Sequence, residues 1–348
     1  MFSILKPFLF NLDPEVAHDL AIKSLKFNYL PSKMFEVNDE HILNIQLFGK
    51  FFSNPIGLAA GFDKSAEVYN SLLKLGFGFV EAGTVTPLKQ FGNPKPRVFR
   101  LIDDGALINR LGFNNDGIDV VKKRINSGAK TGILGINIGP NKNTKDQKKD
   151  FCLGLKNFSD IADYITINIS SPNTAGLRGF HDQEKLEDLF LALNKIKENS
   201  KSDIPLLLKI SPDIEESNIL QISNLAIRSS ISGVILTNTT NGNRGNLLSS
   251  AKKEEGGLSG EPIQKISTKM IKKFYKHLNG KIPIIGVGGI NSGKSAYEKI
   301  IAGASLLQLY TSFVYRGPLV AKEIKKELIQ ILKAEGITNI KDAIGIGV

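Results

Sequence analysis

Eight short apolar segments recur along the chain and constrain its fold more than any other feature. They are rich in β-branched side chains, and amphipathic segments with helical spacing separate them. Strands that are apolar along their whole length form parallel sheets covered on both faces. The predicted strands are NPIGLAA (54–60), FGFVEAG (77–83), GILGINI (132–138), YITINIS (164–170), PLLLKIS (205–211), GVILTNT (233–239), IPIIGVG (282–288) and SLLQLYT (305–311).

The amphipathic segments between the strands predict helices that cover this sheet. Eight strand–helix units in 348 residues match a closed (β/α)8 TIM barrel in number and length. An open, doubly wound sheet is the alternative. The clearest predicted helices are EKLEDLFLALNKIKE (184–198), EESNILQISNLAIRS (215–229), PIQKISTKMIKKFYKHL (262–278) and PLVAKEIKKELIQILKA (318–334).

Residues 1–40 lie outside this alternation and predict a short N-terminal helical arm, which leaves the barrel to residues 41–348. Asp13 before Pro14 is typical of a helix start. The preceding segment FSILKPFLF is so apolar that it either packs on the barrel or enters a membrane surface. The helix face predicted to be apolar consists of Val16, Leu20, Ala21 and Leu25.

The chain is basic, with 45 lysines and arginines against 34 acidic residues and a formal net charge of +11. Such an excess indicates an anionic partner or simply a lysine-rich solvated surface. The single cysteine, Cys152, excludes a disulfide framework and fits a reducing compartment. The four histidines lack ligand spacing, so we expect no metal site. The first residues resemble neither a signal nor a transit peptide, and no apolar run reaches the roughly 18 residues of a membrane span.

Active sites of TIM barrels lie at the carboxyl ends of the strands. The residues there are amides, hydroxyls, glycines and two lysines, which excludes two-carboxylate glycosidase chemistry and simple metallohydrolysis. They suit a planar cofactor with a phosphate, whose ring Lys209 would stabilise when negative charge develops. The strand-end residues are AAGFDK (59–64), Ala82 to Thr84, Asn137, NISSPNT (168–174), Lys209, TNTT (237–240), GVGGI (286–290), Tyr310 and Thr311.

Some of these features have simpler interpretations. A lysine at a strand end is often a surface charge, Tyr310 could cap the core, and GVGGI is a common tight turn. The segment GGINSGKS (288–295) matches the phosphate-loop pattern of nucleotide hydrolases. No apolar strand ending in aspartate accompanies it, so we do not expect nucleotide hydrolysis.

Several motifs together resemble one family. NISSPNT and NRLGFNN (109–115) in the same chain are the most specific pairing. The chain resembles the dihydroorotate dehydrogenases, in their quinone-dependent, membrane-associated class (class 2) of the bacterial type. The other motifs that carry the resemblance are DPEVAHDLA, AAGFDK, GINIGPNK, LLLKISPD, TNTT, GGLSG, GVGGI and LYTSF.

The resemblance implies oxidation of (S)-dihydroorotate to orotate in pyrimidine biosynthesis, with FMN as hydride acceptor and a membrane quinone as final acceptor. Lys64 would be the counter-ion of the orotate carboxylate. The implied FMN contacts are Ala59, Ala60, Gly61, Phe62, Asp63, Thr84, Asn137, Asn168, Lys209, Thr237, Gly260, Gly289, Tyr310 and Thr311. The implied substrate contacts are Lys64, Asn109, Arg110, Leu111, Gly112, Phe113, Asn168, Asn173, Asn238 and Thr239.

The resemblance also assigns a role to the second serine of NISSPNT. Ser171 would be the base that removes the C5 proton while hydride leaves C6, with Asn168 and Asn173 holding the ring. A serine hydroxyl is a poor base near neutral pH, so it needs a proton relay, and Thr174 is a candidate member. We therefore expect activity to rise toward alkaline pH.

In this class the N-terminal arm forms a quinone channel against the barrel. His18, Arg100 and Tyr310 match positions that line the channel, although a helical histidine is more often packed or solvated. The resemblance predicts a monomer, peripheral on the cytoplasmic face of the bacterial inner membrane, that binds no nucleic acid.

Two other functions are considered. A flavin barrel acting on RNA uridines would explain the positive charge, but it would carry an RNA-binding domain and a catalytic cysteine. A non-enzymatic protein anchored to a membrane by the arm would not need eight strand ends with compatible polar groups. Flavin absorbance in purified protein would distinguish such a non-enzymatic protein from both enzymes.

Overall fold

The computed structural model describes residues 2–27, 41–174 and 176–348. Its strands are β1 (Ile45–Leu47), β2 (Lys50–Phe52), β3 (Ile56–Leu58), β4 (Phe79–Val85), β5 (Val98–Leu101), β6 (Ala106–Asn109), β7 (Ile133–Ile138), β8 (Tyr164–Asn168), β9 (Leu206–Ile210), β10 (Gly233–Leu236), β11 (Gly257–Gly260), β12 (Ile284–Val287) and β13 (Ala304–Leu309). Its helices are α1 (Phe2–Asn11), α2 (Pro14–Lys26), α3 (Tyr69–Leu73), α4 (Ile118–Asn126), α5 (Gln147–Phe158), α6 (Gln183–Ser200), α7 (Glu216–Arg228), α8 (Gln264–Leu278), α9 (Gly293–Ile301), α10 (Thr311–Arg316) and α11 (Val320–Ala334).

Eight parallel strands close into a barrel in the order β3-β4-β7-β8-β9-β10-β12-β13, and β13 returns to β3. All eight coincide with the strands predicted from the apolar segments, so the TIM barrel is confirmed and the open sheet is wrong. The register brings polar residues together at one end of the barrel. Asn168 at the end of β8 lies opposite Lys209 on β9, and Asn137 on β7 lies opposite Thr166.

The outer helices bury one apolar face each against the barrel. In α11, for example, Val320, Ile324, Leu328 and Leu332 are buried at the spacing of one helical face. The four helices predicted from the sequence correspond to α6, α7, α8 and α11.

A hairpin closes the amino-terminal end of the barrel. Strands β1 and β2 pair antiparallel through a two-residue turn at Phe48 and Gly49, both with positive φ, as tight hairpins require. Phe52 of this hairpin contacts Phe79 inside the barrel with a ring separation of 5.5 Å, and Tyr164 follows at 6.3 Å from Phe79. This end is therefore filled with aromatic side chains, and the opposite end is left for ligands.

A three-stranded antiparallel sheet, absent from the sequence prediction, lies over the ligand end. Strands β5 and β6 come from the connection between β4 and α4, and β11 comes from the connection between β10 and α8. Gly257 lies opposite Asn109 in this sheet, and a Cβ atom at Gly257 would lie 1.9 Å from the hydroxyl of Thr239. Glycine is thus required where the sheet meets the loop after β10.

The arm forms two helices joined at Asp13. The Asp13 carboxylate accepts hydrogen bonds from the backbone N–H groups of Glu15 (2.9 Å) and Val16 (3.1 Å), so the predicted N-cap is confirmed. The side chain of Arg97 binds Glu15 through an ion pair of 2.8 Å, and the Arg100 guanidinium donates to the Leu12 carbonyl at 2.8 Å. The proposed domain boundary at residue 40 lies outside the described residues.

The predicted apolar face of α2 is partly wrong. Ile22 and Leu25 are buried against the barrel, whereas Val16 is 47% exposed and Leu20 is 45% exposed. The arm has apolar residues on two sides, and residue spacing alone did not distinguish which side packs. Within residues 2–27 of the arm, the large apolar side chains left exposed are Ile4, Leu5, Phe8, Leu12, Val16, Leu20 and Phe27. No helix in the described ranges has the length and hydropathy needed to cross a bilayer.

Candidate active site

A cavity of about 790 Å³ opens at the carboxyl ends of the barrel strands. This volume lies within the range of small-molecule and cofactor sites. Most of the residues predicted to bind ligands line it together. They are Ala59, Ala60, Gly61, Lys64, Thr84, Asn109, Leu111, Gly112, Phe113, Asn168, Ser171, Asn173, Lys209, Thr237, Asn238, Thr239, Gly260, Gly289, Tyr310 and Thr311.

Six predicted residues do not line the cavity. The Arg110 guanidinium points away from it and pairs with Glu254 at 2.8 Å. Arg100 instead holds the end of α1 through the Phe10 and Leu12 carbonyls. The remaining four, which lie behind the cavity wall or below its floor, are His18, Phe62, Asp63 and Asn137.

Asp63 organises the loop that follows β3. Its carboxylate accepts hydrogen bonds from the backbone N–H groups of Glu67 (2.7 Å) and Val68 (2.8 Å), although burial raises its pKa. The Phe62 ring packs edge-on against Phe313, with the ring centres 4.9 Å apart. Phe62 and Asp63 therefore hold the backbone directly before Lys64, and the Lys64 side chain lines the cavity.

A buried network under the cavity floor centres on Glu81, which the sequence analysis did not identify. Its carboxylate accepts hydrogen bonds from Asn137 Nδ2 (2.8 Å), Thr166 Oγ1 (3.1 Å), Tyr164 Oη (3.2 Å) and Gln308 Nε2 (2.9 Å). The signal was present in the sequence, because Glu81 is the one charged residue in the apolar segment FGFVEAG.

The same network fixes the amides of the cavity floor. Asn137 Oδ1 accepts hydrogen bonds from Thr84 Oγ1 (2.6 Å) and Asn168 Nδ2 (3.1 Å). Asn137 is thus the link through which Glu81 orients Thr84 and Asn168, both of which line the cavity.

Lys209 brings a positive charge to the cavity floor. Its side chain is buried, and its Nζ lies 3.9 Å from Glu81 Oε1, beyond hydrogen-bonding distance. Burial lowers the pKa of Lys209, and the Glu81 carboxylate raises it. Lys209 Nζ lines the cavity and has no hydrogen bond to the described residues, so its N–H donors can bind a ligand acceptor.

Two hydroxyl groups at the cavity also lack protein partners. Thr237 Oγ1 and Ser312 Oγ are buried and make no hydrogen bond with the described residues. Gly288 and Gly289 lie beside them with positive φ values of 118° and 73°. Bare glycine backbone and unpaired hydroxyls fit a phosphorylated ligand at this edge of the cavity.

The phosphate-loop match GGINSGKS has a structural explanation. Ser292 and Ser295 form a capping box at the start of α9, so Ser295 is engaged with helix backbone. Lys294 is exposed on the outside of the barrel. Lys294 and Ser295 therefore do not converge on one site, as the phosphate-loop pattern would require.

Ser171 faces the cavity from the loop after β8 and is buried. Its Oγ accepts a hydrogen bond from the Asn173 backbone N–H at 3.2 Å, and Asn173 Nδ2 donates to the Asn109 carbonyl at 3.1 Å. Asn238 Nδ2 donates to the neighbouring Ser170 hydroxyl at 2.9 Å. The loop with Ser171 is thus tied to both the β6 end and the β10 end.

An ion pair fastens the same loop from outside the cavity. The guanidinium of Arg178 lies 3.0 Å from Asp213 Oδ2, in the loop after β9. Asp213 also accepts hydrogen bonds from the Thr240 hydroxyl and, at 3.0 Å, from the Asn241 backbone N–H. This cluster joins the loops after β8, β9 and β10.

Lys64 lines the cavity on the side that faces the arm. Its Nζ lies 3.0 Å from Nε2 of His18, which is on α2. Burial lowers the pKa of Lys64 to about 8 and that of His18 to about 3. Tyr310 lies between the cavity and the aromatic rings of Phe62 and Phe313, and burial raises its pKa to about 12.

Comparison with known proteins decides the family. The model of the family described as dihydroorotate dehydrogenase matches residues 42–332. The chain belongs to the dihydroorotate dehydrogenase family. Among its relatives, "Dihydroorotate dehydrogenase (quinone)" of Bartonella tribocorum is 47% identical over 96% of this chain and 93% of the relative. The protein named "Dihydroorotate dehydrogenase (quinone), mitochondrial" of Arabidopsis thaliana is 43% identical over 99% of this chain and 81% of the relative.

Solved structures of this family agree with the fold. A dihydroorotate dehydrogenase from Eimeria tenella in complex with ferulenol superposes with a TM-score of 0.91 and 42% identity, covering 96% of this chain and 95% of that one. The predicted family, the barrel and the class of flavin-dependent oxidoreductase are thereby confirmed.

Proposed function

We propose that this dihydroorotate dehydrogenase oxidises (S)-dihydroorotate to orotate, with FMN as its flavin and a membrane quinone as final electron acceptor. The observation that carries the proposal is one cavity lined by Ser171, Lys64 and Lys209. A proton acceptor, a carboxylate counter-ion and a flavin counter-ion are what this reaction requires.

FMN fits the residues on two sides of the cavity. Lys209 would hold the pyrimidine end of the ring, where its ammonium stabilises negative charge on the reduced flavin. Thr237, Ser312 and the glycines 288–289 would hold the phosphate with hydroxyl and backbone donors. Bound FMN would supply a two-electron acceptor for the hydride of the substrate.

Dihydroorotate would lie between the flavin and the loop after β8. Lys64 would pair with its carboxylate, as lysine does with anions. The amides of Asn109, Asn173 and Asn238 would bind the ring edge, and all three line the cavity. Asn173 Nδ2 already donates to the Asn109 carbonyl, and Asn238 Nδ2 donates to the Ser170 hydroxyl. These hydrogen bonds reduce the conformational freedom lost on binding.

Ser171 would then remove the C5 proton. The O–H bond forms on Ser171 Oγ as the C5–H bond breaks, and hydride leaves C6, so that a C5=C6 double bond results. The proton displaced from the serine hydroxyl passes to solvent, and we keep Thr174 as a proposed relay member because it is buried in the same loop.

The arm supports the proposed quinone site and peripheral membrane association. Its exposed apolar side chains include Ile4 (71% exposed) and Phe8 (70% exposed). The positively charged groups of Lys6 and Arg100 lie over the ring of Phe10. Such a surface suits the boundary between lipid headgroups and acyl chains. We propose that it lies on the cytoplasmic face of the inner membrane, and that His18, Arg100 and Tyr310 border the quinone path.

The test is oxidation of dihydroorotate by purified enzyme with a quinone analogue, fumarate or NAD as separate acceptors. We expect orotate formation with the quinone only, together with FMN released on denaturation. Turnover with fumarate or NAD instead would assign the chain to another class of the family. Absence of dihydroorotate oxidation with every acceptor would reject the substrate.

A further inference from the structure

Helix α2 of the arm reaches the wall of the substrate cavity at one point. His18 Nε2 lies 3.0 Å from Nζ of Lys64, which itself lines the cavity. The His18 ring also packs edge-on against Phe62 with the ring centres 4.9 Å apart, and the imidazole donates a hydrogen bond to the backbone carbonyl of Phe62. The imidazole is therefore held on two sides, with one nitrogen directed at the lysine.

The protonation states give this contact a direction. Burial and the nearby Lys64 charge lower the pKa of His18 to about 3, so the imidazole is neutral at physiological pH. A neutral nitrogen facing an ammonium group accepts its hydrogen bond. Lys64 therefore donates to His18, and its two other donors are left for a ligand in the cavity.

The arm also contributes charge around Lys64. The carboxylates of Glu15, Asp19 and Asp63 raise the pKa of Lys64, and the Arg97 guanidinium lowers it, against a larger decrease from burial. Glu15 and Asp19 belong to α2, whereas Asp63 and Arg97 belong to the barrel. The buried ion pair between Glu15 and Arg97 fixes α2 in this position.

We propose that α2 is part of the dihydroorotate site, and that His18 is a positioning residue that holds the Lys64 ammonium toward the substrate carboxylate. The inference rests on the proposed role of Lys64 in substrate binding. It means that the arm acts on the dihydroorotate half of the reaction as well as on the quinone half. Removing the arm would then weaken orotate binding in the absence of any quinone.

The test compares three variants of the full-length, flavin-loaded enzyme. His18→Leu fills the space but cannot accept a hydrogen bond, His18→Gln keeps an acceptor, and His277→Leu makes the same change at an exposed position on α8. Orotate affinity is measured by titration calorimetry between about pH 6 and about pH 10, without quinone, because Lys64 should titrate within that range.

We expect orotate binding to weaken above the pKa of Lys64, which is about 8 in the original chain. In His18→Leu the pH above which orotate binding weakens should be lower. If the pKa of Lys64 falls by about one, affinity at pH 8 should fall roughly fivefold. His18→Gln and His277→Leu should keep the original limb. An unmoved limb in His18→Leu, or an equal shift in His18→Gln, would overturn the inference.

Lys64→Met separates this inference from the proposed function. We expect orotate affinity to fall in this variant and to lose its alkaline limb. If Lys64→Met binds orotate as well as the original chain, the substrate role of Lys64 is wrong. If Lys64→Met weakens binding but His18→Leu leaves the limb unmoved, only the positioning role of His18 is wrong.

Discussion

In the middle of the barrel, Oε1 of Glu81 lies 3.9 Å from Nζ of Lys209, and both side chains are buried. The carboxylate is satisfied by four neutral donors from β7, β8 and β13, so it does not need the lysine as a hydrogen-bond partner. Its effect on Lys209 is electrostatic: the negative charge below the cavity floor raises the pKa of Lys209 and so opposes the larger decrease that burial causes.

We predict that Glu81→Gln destabilises the protein and weakens its hold on the flavin. The glutamine side chain has the same size, but it carries no charge opposite the buried Lys209. Its amide N–H group would also face the hydrogen-bond donors that surround Glu81. Breaking a buried pair in this way costs about 3 kcal/mol. Urea unfolding with a fluorescence readout, together with flavin content after gel filtration, measures both effects.

The matched control for that variant is Glu187→Gln, which removes a carboxylate from an exposed pair with Arg228. Exposed pairs contribute up to about 1 kcal/mol, so this control should unfold close to the original chain. Equal unfolding midpoints for the two variants would contradict the role given to Glu81.

Ser171→Ala should bind orotate but reduce its flavin several orders of magnitude more slowly, because no group remains at that place to take the C5 proton. Ser171→Cys should keep part of the rate, since a thiolate forms more easily than an alkoxide. Anaerobic stopped-flow mixing with dihydroorotate, followed by flavin absorbance, measures the step directly. A near-normal rate in Ser171→Ala would assign the proton to another residue.

The pH dependence should separate binding from chemistry. The pKa of Lys64 is lowered to about 8, so its ammonium is present below that pH and is lost above it. KM for dihydroorotate should therefore rise above about pH 8, while kcat continues to rise with pH because the serine needs to lose its proton. Initial rates with a quinone analogue across this range give both constants.

Lys64→Arg is the control for the rise of KM at alkaline pH. A guanidinium stays protonated in this range, so the rise of KM at alkaline pH should disappear, whatever the geometry costs at neutral pH. A limb that persists in this variant would belong to a different group.

Asp213→Asn should slow flavin reduction by loosening the loop that carries Ser171. The variant removes the charge that pairs with Arg178, a contact of about 1 kcal/mol, so a roughly fivefold decrease is expected. The stopped-flow assay measures the decrease, and Arg178→Met should give a similar value. Glu187→Gln, which removes the exposed ion pair with Arg228, should have the original rate. A normal rate in Asp213→Asn would show that the pair with Arg178 is not needed to hold the serine.

The barrel was predictable because a fully buried parallel strand leaves a continuous apolar segment in the sequence. The small antiparallel sheet was not, because β11 reads GLSG and shows neither an apolar run nor alternation. Its pairing with β6 depends on residues about 150 positions away, and local spacing carries no information about that distance.

The residues of the candidate site likewise include some that the sequence could place and some that it could not. Strand-end residues such as Ser171 and Lys209 reach the cavity because strand direction alone decides where they lie. Asp63 and Asn137 lie below or behind the residues that line the cavity. The Asp63 carboxylate accepts backbone hydrogen bonds and the Asn137 amide donates to Glu81, and these contacts cannot be predicted from the sequence. The exposure of Val16 and Leu20 was likewise undecidable from spacing, because α2 has apolar residues on both of its sides.

The pairing of β11 with β6 limits how the molecule can change in length. One extra residue just before Gly257 would shift the strand by one position and turn Leu258, now buried, to the opposite face of the sheet. A side chain would then stand where Gly257 passes the hydroxyl of Thr239. Insertions and new chain termini should therefore be tolerated in the exposed part of the preceding loop around residues 245–246, away from the Asp213 cluster, and rejected within a few residues of the strand.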